Sequence, residues 1–213
     1  MGRRALRKID PQLDLSRHYC EAEDLPRPLA GEPLFGRSAP LEIEVGSGKG
    51  LFLATASQAN PERDFVGIEV AKKYARFAAA RLMKQHSTNA IMVCGDALAI
   101  FREFVADASL AAVHVYFPDP WWKKRHRRRR VMNEAFLRDV QRTLVPGGSL
   151  HFWTDVEEYF QTTLEVIAAV TTLSGPLAIA ERPAEHHLDY HTHFERRTRL
   201  HDQPVYRSEF RRS

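Results

Sequence analysis

From Leu41 onward, short apolar runs alternate with longer amphipathic runs, and this alternation constrains the fold more than any other feature. Five short runs have the length and composition of buried strands: residues 41–45, 65–69, 90–94, 111–117 and 149–154. Residues 71–86 and 133–145 have the apolar spacing of helices, and Pro-Gly-Gly at 146–148 is expected to end the second. Alternating strands and helices predict an α/β fold with a mainly parallel sheet and helices on both faces.

The length of the chain predicts a single domain. A chain of 213 residues can bury a core of its own, and no repeat or long linker divides it. Residues 1–40 contain five prolines, so we expect a partly ordered N-terminal arm there and the main domain over residues 41–213. Residues 205–210 predict a final edge strand.

The charge of the chain is concentrated in one place. Lys and Arg number 31 against 27 Asp and Glu, and residues 123–130 alone contain seven of the 31. Such a local patch favours a polyanion such as RNA, although a solvated charged loop has the same composition. No apolar stretch is long enough to span a membrane, and residues 1–7 lack the apolar middle of a secretory signal. We therefore expect no membrane association, a cytoplasmic location and no obligatory protein partner.

Acidic side chains lie at the ends of the first three predicted strands, where ligands of open parallel sheets bind. Glu44 precedes a glycine-rich turn that lets a ligand approach the backbone at Gly46. Glu44 would repel a pyrophosphate but suits an ammonium or sulfonium group, and Glu69 can accept from ribose hydroxyls. Asp96 can accept from an adenine amino group. Together these groups describe S-adenosylmethionine better than a dinucleotide, although a tight turn and helix-capping acids are the alternatives.

The fourth predicted strand ends at Asp119, which lies between two prolines. Pro118 and Pro120 restrict the backbone on both sides, so this carboxylate is expected to be held rigidly. Trp121 and Trp122 follow and suit a flat substrate such as a nucleobase. A proline-rich turn whose tryptophans cover the core is the alternative.

Five blocks carry a resemblance to a known family. They are Glu44-Val45-Gly46-Ser47-Gly48, Gly67-Ile68-Glu69, Gly95-Asp96-Ala97, Tyr116-Phe117-Pro118-Asp119-Pro120-Trp121-Trp122-Lys123-Lys124-Arg125-His126 and Trp153-Thr154-Asp155. In this order they resemble the bacterial tRNA (guanine-N7-)-methyltransferases, which methylate a guanosine in the tRNA variable loop. The resemblance covers nearly everything after Leu41.

The resemblance implies a Rossmann-like class I S-adenosylmethionine-dependent methyltransferase fold, with tRNA as the partner. The implied cofactor-binding residues are Glu44, Glu69, Asp96 and Asp119, and Asp119 is also the implied catalytic residue. The implied substrate-binding residues are Lys123, Asp155, Thr192, His193, Phe194 and Glu195. The implied RNA-contacting residues are Arg125, His126, Arg127, Arg128, Arg129 and Arg130.

One substrate position departs from the family pattern. The family's Thr-Lys-Phe-Glu segment is Thr192-His193-Phe194-Glu195 here, with histidine in place of the usual lysine. Histidine still forms hydrogen bonds with RNA, but it is mostly neutral at neutral pH. The role of that one side chain therefore does not carry over directly.

Three other functions are compatible with parts of the sequence. An adenine N6 methyltransferase has an Asp/Asn-Pro-Pro-aromatic turn at a comparable strand end, but Asp119-Pro120-Trp121 lacks the second proline. A degenerate fold that only binds RNA would not need to retain all four acids. His186, His187, His191 and His193 lie near Asp189 and suggest zinc, but no thiolates accompany them, so we expect no metal.

For an N7 acceptor, positioning is expected to matter more than proton removal. Guanine N7 has an in-plane lone pair and no proton, so no base is needed to create the nucleophile. Methylation leaves a positive charge on the guanine, which a nearby carboxylate stabilises. Asp119 or Asp155 can supply that carboxylate.

Overall fold

The computed structural model describes residues 6, 8–10, 12–122, 125, 129–180, 183–184, 186 and 188–213. These residues form eight strands: β1 (Tyr19–Glu21), β2 (Leu41–Val45), β3 (Asp64–Glu69), β4 (Ala90–Cys94), β5 (Leu110–Tyr116), β6 (Leu144–Thr154), β7 (Ser174–Leu177) and β8 (Tyr206–Arg211). They also form seven α-helices: α1 (Gly31–Phe35), α2 (Leu51–Ala59), α3 (Lys72–Lys84), α4 (Ala97–Glu103), α5 (Glu134–Thr143), α6 (Glu157–Val170) and α7 (His193–Leu200). None of these helices is long and apolar enough to cross a membrane.

All eight strands belong to one sheet in the order β1-β4-β3-β2-β5-β6-β8-β7. The pairs from β1 to β6 are parallel, whereas β8 is antiparallel to both of its neighbours. The strand order reverses at β2, which pairs with β3 on one side and with β5 on the other. The carboxyl ends of β2, β3 and β5 therefore meet at the point where such sheets bind ligands. The α/β fold and its mainly parallel sheet are confirmed.

Two apolar cores hold the helices against opposite faces of the sheet. One core contains Ile43, Val113 and Phe152 of the sheet together with residues of α4, α5 and α6. The other contains Phe65 and Met92 together with the alanines of α3 and the start of α2. Because side chains alternate along a strand, Glu42 and Glu44 of β2 face the α2 and α3 side.

Two expectations from the sequence were wrong in detail. The Pro-Gly-Gly segment at 146–148 does not end α5, which ends at Thr143 and leads directly into β6. The glycines form a bulge instead, where the register with β5 jumps from Leu110↔Leu144 to Ala112↔Ser149. The last strand is not an edge strand, because β7 pairs with its outer side. The sequence pattern did not predict β7, because its residues, Ser-Gly-Pro-Leu, are not typical of a strand and are exposed.

The described part of residues 1–40 packs on the domain. Strand β1 pairs in parallel with β4 at one edge of the sheet, and Leu29 bridges to Val105. Leu15, Leu25 and Leu29 are buried. A domain boundary after residue 40 stays a prediction.

Candidate active site

Five acidic side chains lie at the carboxyl ends of five neighbouring parallel strands or within three residues after them. Across the sheet they are Asp96 (β4), Glu69 (β3), Glu44 (β2), Asp119 (β5) and Asp155 (β6). Neighbouring strands are about 5 Å apart, so the acids form a row across the carboxyl-terminal ends of the strands. The fold thus brings the four implied cofactor-binding acids to the same end of the sheet as the implied substrate contact Asp155.

A glycine turn connects β2 to α2 and is held by Glu69. Gly46 and Gly48 have positive φ values of 77° and 54°, which explains the choice of glycine. The Gly48 amide donates to Glu69 Oε2 at 2.9 Å, and the Ala71 amide donates to Glu69 Oε1 at 2.9 Å. A Cβ on Gly67 would approach Ser47 Oγ to 2.6 Å, so the turn packs directly on β3. Both oxygens of Glu69 keep acceptor capacity for a ligand's hydroxyl groups.

Glu44 is a buried carboxyl group with no ion-pair partner among the described residues. Only 3% of its surface is exposed, and its Oε2 has no hydrogen-bond partner among the described residues. Burial, together with the charge of nearby Glu69, raises the pKa of Glu44 to about 8. A buried acceptor without a partner is costly unless a ligand completes it. An ammonium or sulfonium group would complete this acceptor, so the buried carboxyl group fits S-adenosylmethionine.

Asp96 and Val70 lie at the same carboxyl-terminal end of the sheet, after β4 and β3. The Asp96 side chain caps α4 by accepting from the Leu98 amide at 3.0 Å, and it remains exposed. Val70, directly after Glu69, is 72% exposed, so its apolar side chain is accessible beside the polar site. Sequence reasoning missed Val70, because a single valine after a strand carries no signal until the edge of the sheet is known. It offers an apolar surface beside Glu69 for the flat face of a base.

The loop after β5 presents Asp119 to solvent. Phe117 and Trp121 have positive φ values of 51° and 47°, rare for residues with large side chains. Asp119 Oδ1 accepts from the Trp121 amide at 3.2 Å, and the Phe117 amide donates to the Trp153 carbonyl at 2.8 Å. The Asp119 side chain is exposed, and the rigidity expected from the flanking prolines stays a prediction.

The described residues of the predicted RNA-contacting run differ in exposure. Arg125 and Arg129 are exposed, and the Arg129 guanidinium lies 5.1 Å from the Trp121 ring centroid. Arg130 is only 7% exposed; its Nε donates to the Pro120 carbonyl and its guanidinium lies over the Tyr159 ring. Lys123, His126, Arg127 and Arg128 lie outside the described residues, so their roles stay predictions.

The segment Thr192-His193-Phe194-Glu195 forms the start of α7. Thr192 Oγ1 caps the helix by accepting from the Glu195 amide at 2.9 Å, and Glu195 Oε2 accepts from the His191 amide at 2.7 Å. Glu195 is 2% exposed, and its Oε1 lies 3.4 Å from nitrogen atoms of both Arg199 and Arg207. Thr192 and Glu195 thus define the helix start, and their substrate contacts stay predictions.

Helix α7 lies beside the Asp119 loop. The centroids of the Phe194 and Phe117 rings lie 5.1 Å apart, and the Arg197 guanidinium lies 4.3 Å from the Phe194 centroid. Burial raises the pKa of Asp155, while the charge of Arg197 lowers it. The structure therefore brings Asp119, Asp155 and the α7 segment to one site.

A polar cavity of about 360 Å³ lies between the sheet, α2 and the start of α7. Its floor includes Glu42, which pairs with Arg63 and with His114 at 2.7 Å. Burial, with the nearby His114, lowers the pKa of His151 to about 3. The described residues contain no group of three or more side chains arranged to hold a metal ion; His187 of the suggested zinc cluster lies outside them.

The sheet order, the glycine turn and the row of strand-end acids define a class I S-adenosylmethionine-dependent methyltransferase fold. Two solved structures are similar: the aminoglycoside resistance methyltransferase NpmB1 (TM-score 0.56, 17% identity, 82% of this chain and 87% of that one) and a 30S ribosomal methyltransferase from an uncultured bacterium (TM-score 0.53, 15% identity, 85% and 91%). At these identities the similarity shows the fold alone.

Sequence comparison gives the family. Residues 38–208 match the family model described as "Putative methyltransferase". The chain is 51% identical to the tRNA (guanine-N(7)-)-methyltransferase of Rhodopirellula baltica over 100% of its own length and 80% of that protein. It is 39% identical to that of Alkalilimnicola ehrlichii over 81% of its length and 75% of that protein. The chain belongs to the tRNA (guanine-N(7)-)-methyltransferase family.

Proposed function

We propose that this chain transfers a methyl group from S-adenosyl-L-methionine to N7 of a guanosine in the variable loop of tRNA. The observation that carries the proposal is the row of acids from Asp96 to Asp155, in which Asp119 lies between two prolines in a loop that continues into a basic run. The family membership gives the same reaction. Its expected location is the cytoplasm, where tRNA is available.

Glu44, Glu69 and Asp96 are the groups proposed to hold the cofactor, together with the backbone at Gly46. The buried Glu44 carboxylate would pair with a cationic group, and the Glu69 oxygens would accept from hydroxyls. When bound, S-adenosylmethionine supplies an electrophilic methyl group. The apolar surface of Val70 would cover one face of a purine ring.

Asp119 is proposed to position the guanine and to stabilise its charge. Its backbone is restricted by the neighbouring prolines, and its side chain accepts from the Trp121 amide, so the carboxylate would be presented without a large ordering cost. A carboxylate there can accept from guanine N1–H and the exocyclic amine, and it offsets the positive charge that N7 methylation produces. Asp155 lies on the next strand and can share this role.

The substrate side is proposed to include Lys123, Asp155 and the α7 segment of Thr192, His193, Phe194 and Glu195. Phe194 is partly exposed and packs on Phe117, so its ring edge is available to an unstacked base. Arg125, Arg127, Arg128 and Arg129, with His126, are proposed to contact phosphates. Arg130 is buried, so we propose that it acts through the loop instead.

The identity of the methylated nucleoside tests the proposal. The full-length chain is incubated with methyl-labelled S-adenosylmethionine and unmodified tRNA, and the RNA is then digested to nucleosides. Label in 7-methylguanosine supports the proposal, whereas label in N6-methyladenosine supports the adenine alternative. Cofactor binding without any labelled nucleoside would indicate a chain that only binds RNA.

A further inference from the structure

The two faces of the sheet carry helices of opposite charge. Helices α2, α3 and α7 cover one face and contain eight Lys and Arg against one Glu. Helices α4, α5 and α6 cover the other face and contain three Arg against six Asp and Glu. This asymmetry lies outside the basic run at residues 123–130. It means that a polyanion is attracted to one face of the domain and repelled by the other.

Helix α3 provides most of the positive charge. It contains Lys72, Lys73, Arg76, Arg81 and Lys84 and no acidic residue. Lys72 pairs with Glu21 at 2.6 Å, so it is already neutralised. Lys73 and Lys84 are exposed and Arg76 is partly exposed, and none of these three forms an ion pair with a carboxylate in the described part of the chain.

Helix α7 continues this surface toward the active site. The Arg81 guanidinium lies 3.0 Å from His193 Nε2, so α3 and the start of α7 are in direct contact. Arg196 and Arg197 are exposed on α7, and neither forms an ion pair with a carboxylate among the described residues. We call Lys73, Arg76, Lys84, Arg196 and Arg197 the α3–α7 basic face.

We infer that the α3–α7 basic face binds the sugar-phosphate backbone of the tRNA body. The inference rests on the proposed function and adds a second docking surface to it. Lys73 and Lys84 are eleven positions apart, which on an α-helix is about 16 Å. No small anion spans that distance, whereas a nucleic-acid backbone contacts both side chains.

The position of the face relative to Asp119 supports this geometry. Helix α3 begins three residues after Glu69, on the β3 side of the central strand β2. The Asp119 loop and the basic run follow β5, on the other side of β2. The RNA is therefore held on both sides of the reacting base, which fixes its orientation without reading its sequence.

The test compares two triple variants that remove equal charge. Lys73→Ala/Arg76→Ala/Lys84→Ala changes the α3–α7 basic face. Arg27→Ala/Arg102→Ala/Arg138→Ala removes three exposed arginines on the α4 to α6 side, where Arg27 lies over Phe104. For each, tRNA affinity is measured against salt concentration, with cofactor affinity and the melting temperature as checks of folding.

Each lost phosphate contact reduces the slope of log K against log salt by about 0.7 to 0.9. We expect the α3 variant to lose about two to three units of slope and about tenfold or more in affinity, and the control to keep the wild-type slope. Equal losses in both variants, or wild-type slopes in both, would overturn the inference. If the triple variant does not fold, Lys73→Gln/Lys84→Gln is compared with Arg102→Gln/Arg138→Gln, which again removes equal charge. A wild-type chain that methylates no tRNA would instead contradict the proposed function.

Discussion

The Nε of Arg130 donates a hydrogen bond to the carbonyl oxygen of Pro120 at 2.7 Å, directly beside Asp119. The same guanidinium lies 4.5 Å from the centroid of the Tyr159 ring on α6. Arg130 therefore ties the Asp119 loop to a helix that packs on the sheet. A buried arginine in this position stabilises the loop geometry more directly than it attracts RNA.

Arg130 and Arg129 are predicted to act differently when changed. Arg130→Lys loses the planar guanidinium group that contacts both the Pro120 carbonyl and the Tyr159 ring, so the loop is expected to position Asp119 less well. We expect kcat to fall about tenfold to hundredfold with the salt dependence of tRNA binding unchanged. Arg129→Ala is the matched control, because Arg129 is exposed; its loss should reduce the salt slope and leave kcat nearly unchanged. A reduced slope for Arg130→Lys would identify Arg130 as a phosphate contact.

Asp119→Ala is predicted to slow methyl transfer strongly while the fold is kept. The side chain is exposed, so its removal leaves no cavity in the core. We expect a loss of about a hundredfold to a thousandfold in single-turnover rate, because charge stabilisation at the base is lost. Asp119→Asn removes the negative charge and keeps the size of the side chain, since its amide oxygen can still accept from the Trp121 amide. Wild-type turnover by a folded Asp119→Ala protein would exclude the assigned role.

Glu44 is predicted to make stability depend on pH. Its pKa is about 8 in the folded chain and near 4.5 in a free side chain, so the folded state retains a proton that the unfolded state releases. The free energy of unfolding should therefore fall as the pH rises from about 4.5 to about 8, by on the order of 5 kcal/mol for the full shift. Chemical denaturation at several pH values measures this, and Glu44→Gln should remove that part of the dependence.

The same carboxyl group links cofactor binding to proton release. A cationic ligand favours the ionised form of Glu44, so cofactor affinity should increase as the pH rises toward about 8. Calorimetry in two buffers of different ionisation enthalpy measures the proton released on binding. Glu44→Gln should bind more weakly and release no proton from this group. Identical proton release by wild type and variant would show that Glu44 does not contact the cationic group.

The sequence predicted the sheet and the strand-end acids because both depend on local patterns. Apolar runs determine the strands, and the end of each strand determines where Glu44, Glu69 and Asp119 lie. Which arginine in a run turns inward is not a local property. Arg130 is buried because Tyr159, from a distant helix, provides a ring for it. The glycines after α5 were misassigned for a similar reason, since pairing with β5 converts them into a bulge.

The α7 segment was recognised by resemblance, but its contacts required the fold. Thr192 and Glu195 have the spacing of a helix-capping pair, which is a local signal that could have predicted the start of α7. The contact between His193 and Arg81 joins residues 112 positions apart, so no local pattern indicates it. That contact offers a physical reason for the one departure from the family pattern.

His193→Lys is predicted to weaken the docking of α7 on α3. A neutral histidine can accept from Arg81 at 3.0 Å, whereas a lysine would place a second cation beside it. Burial already lowers the pKa of Arg81, so its charge is poorly solvated there. Two like charges at about 4 Å cost about 1–4 kcal/mol in surroundings between water and a protein surface. We expect a lower melting temperature and a higher KM for tRNA.

Arg81→Gln tests whether this cost arises from the pair. Alone, Arg81→Gln should cost little stability, because a glutamine amide can still donate to His193. Combined with His193→Lys, it should restore most of the lost stability and tRNA use, since a single cation then remains at the contact. Additive effects in this double-mutant cycle would show that the two side chains are not coupled. The histidine would then need an explanation other than its arginine neighbour.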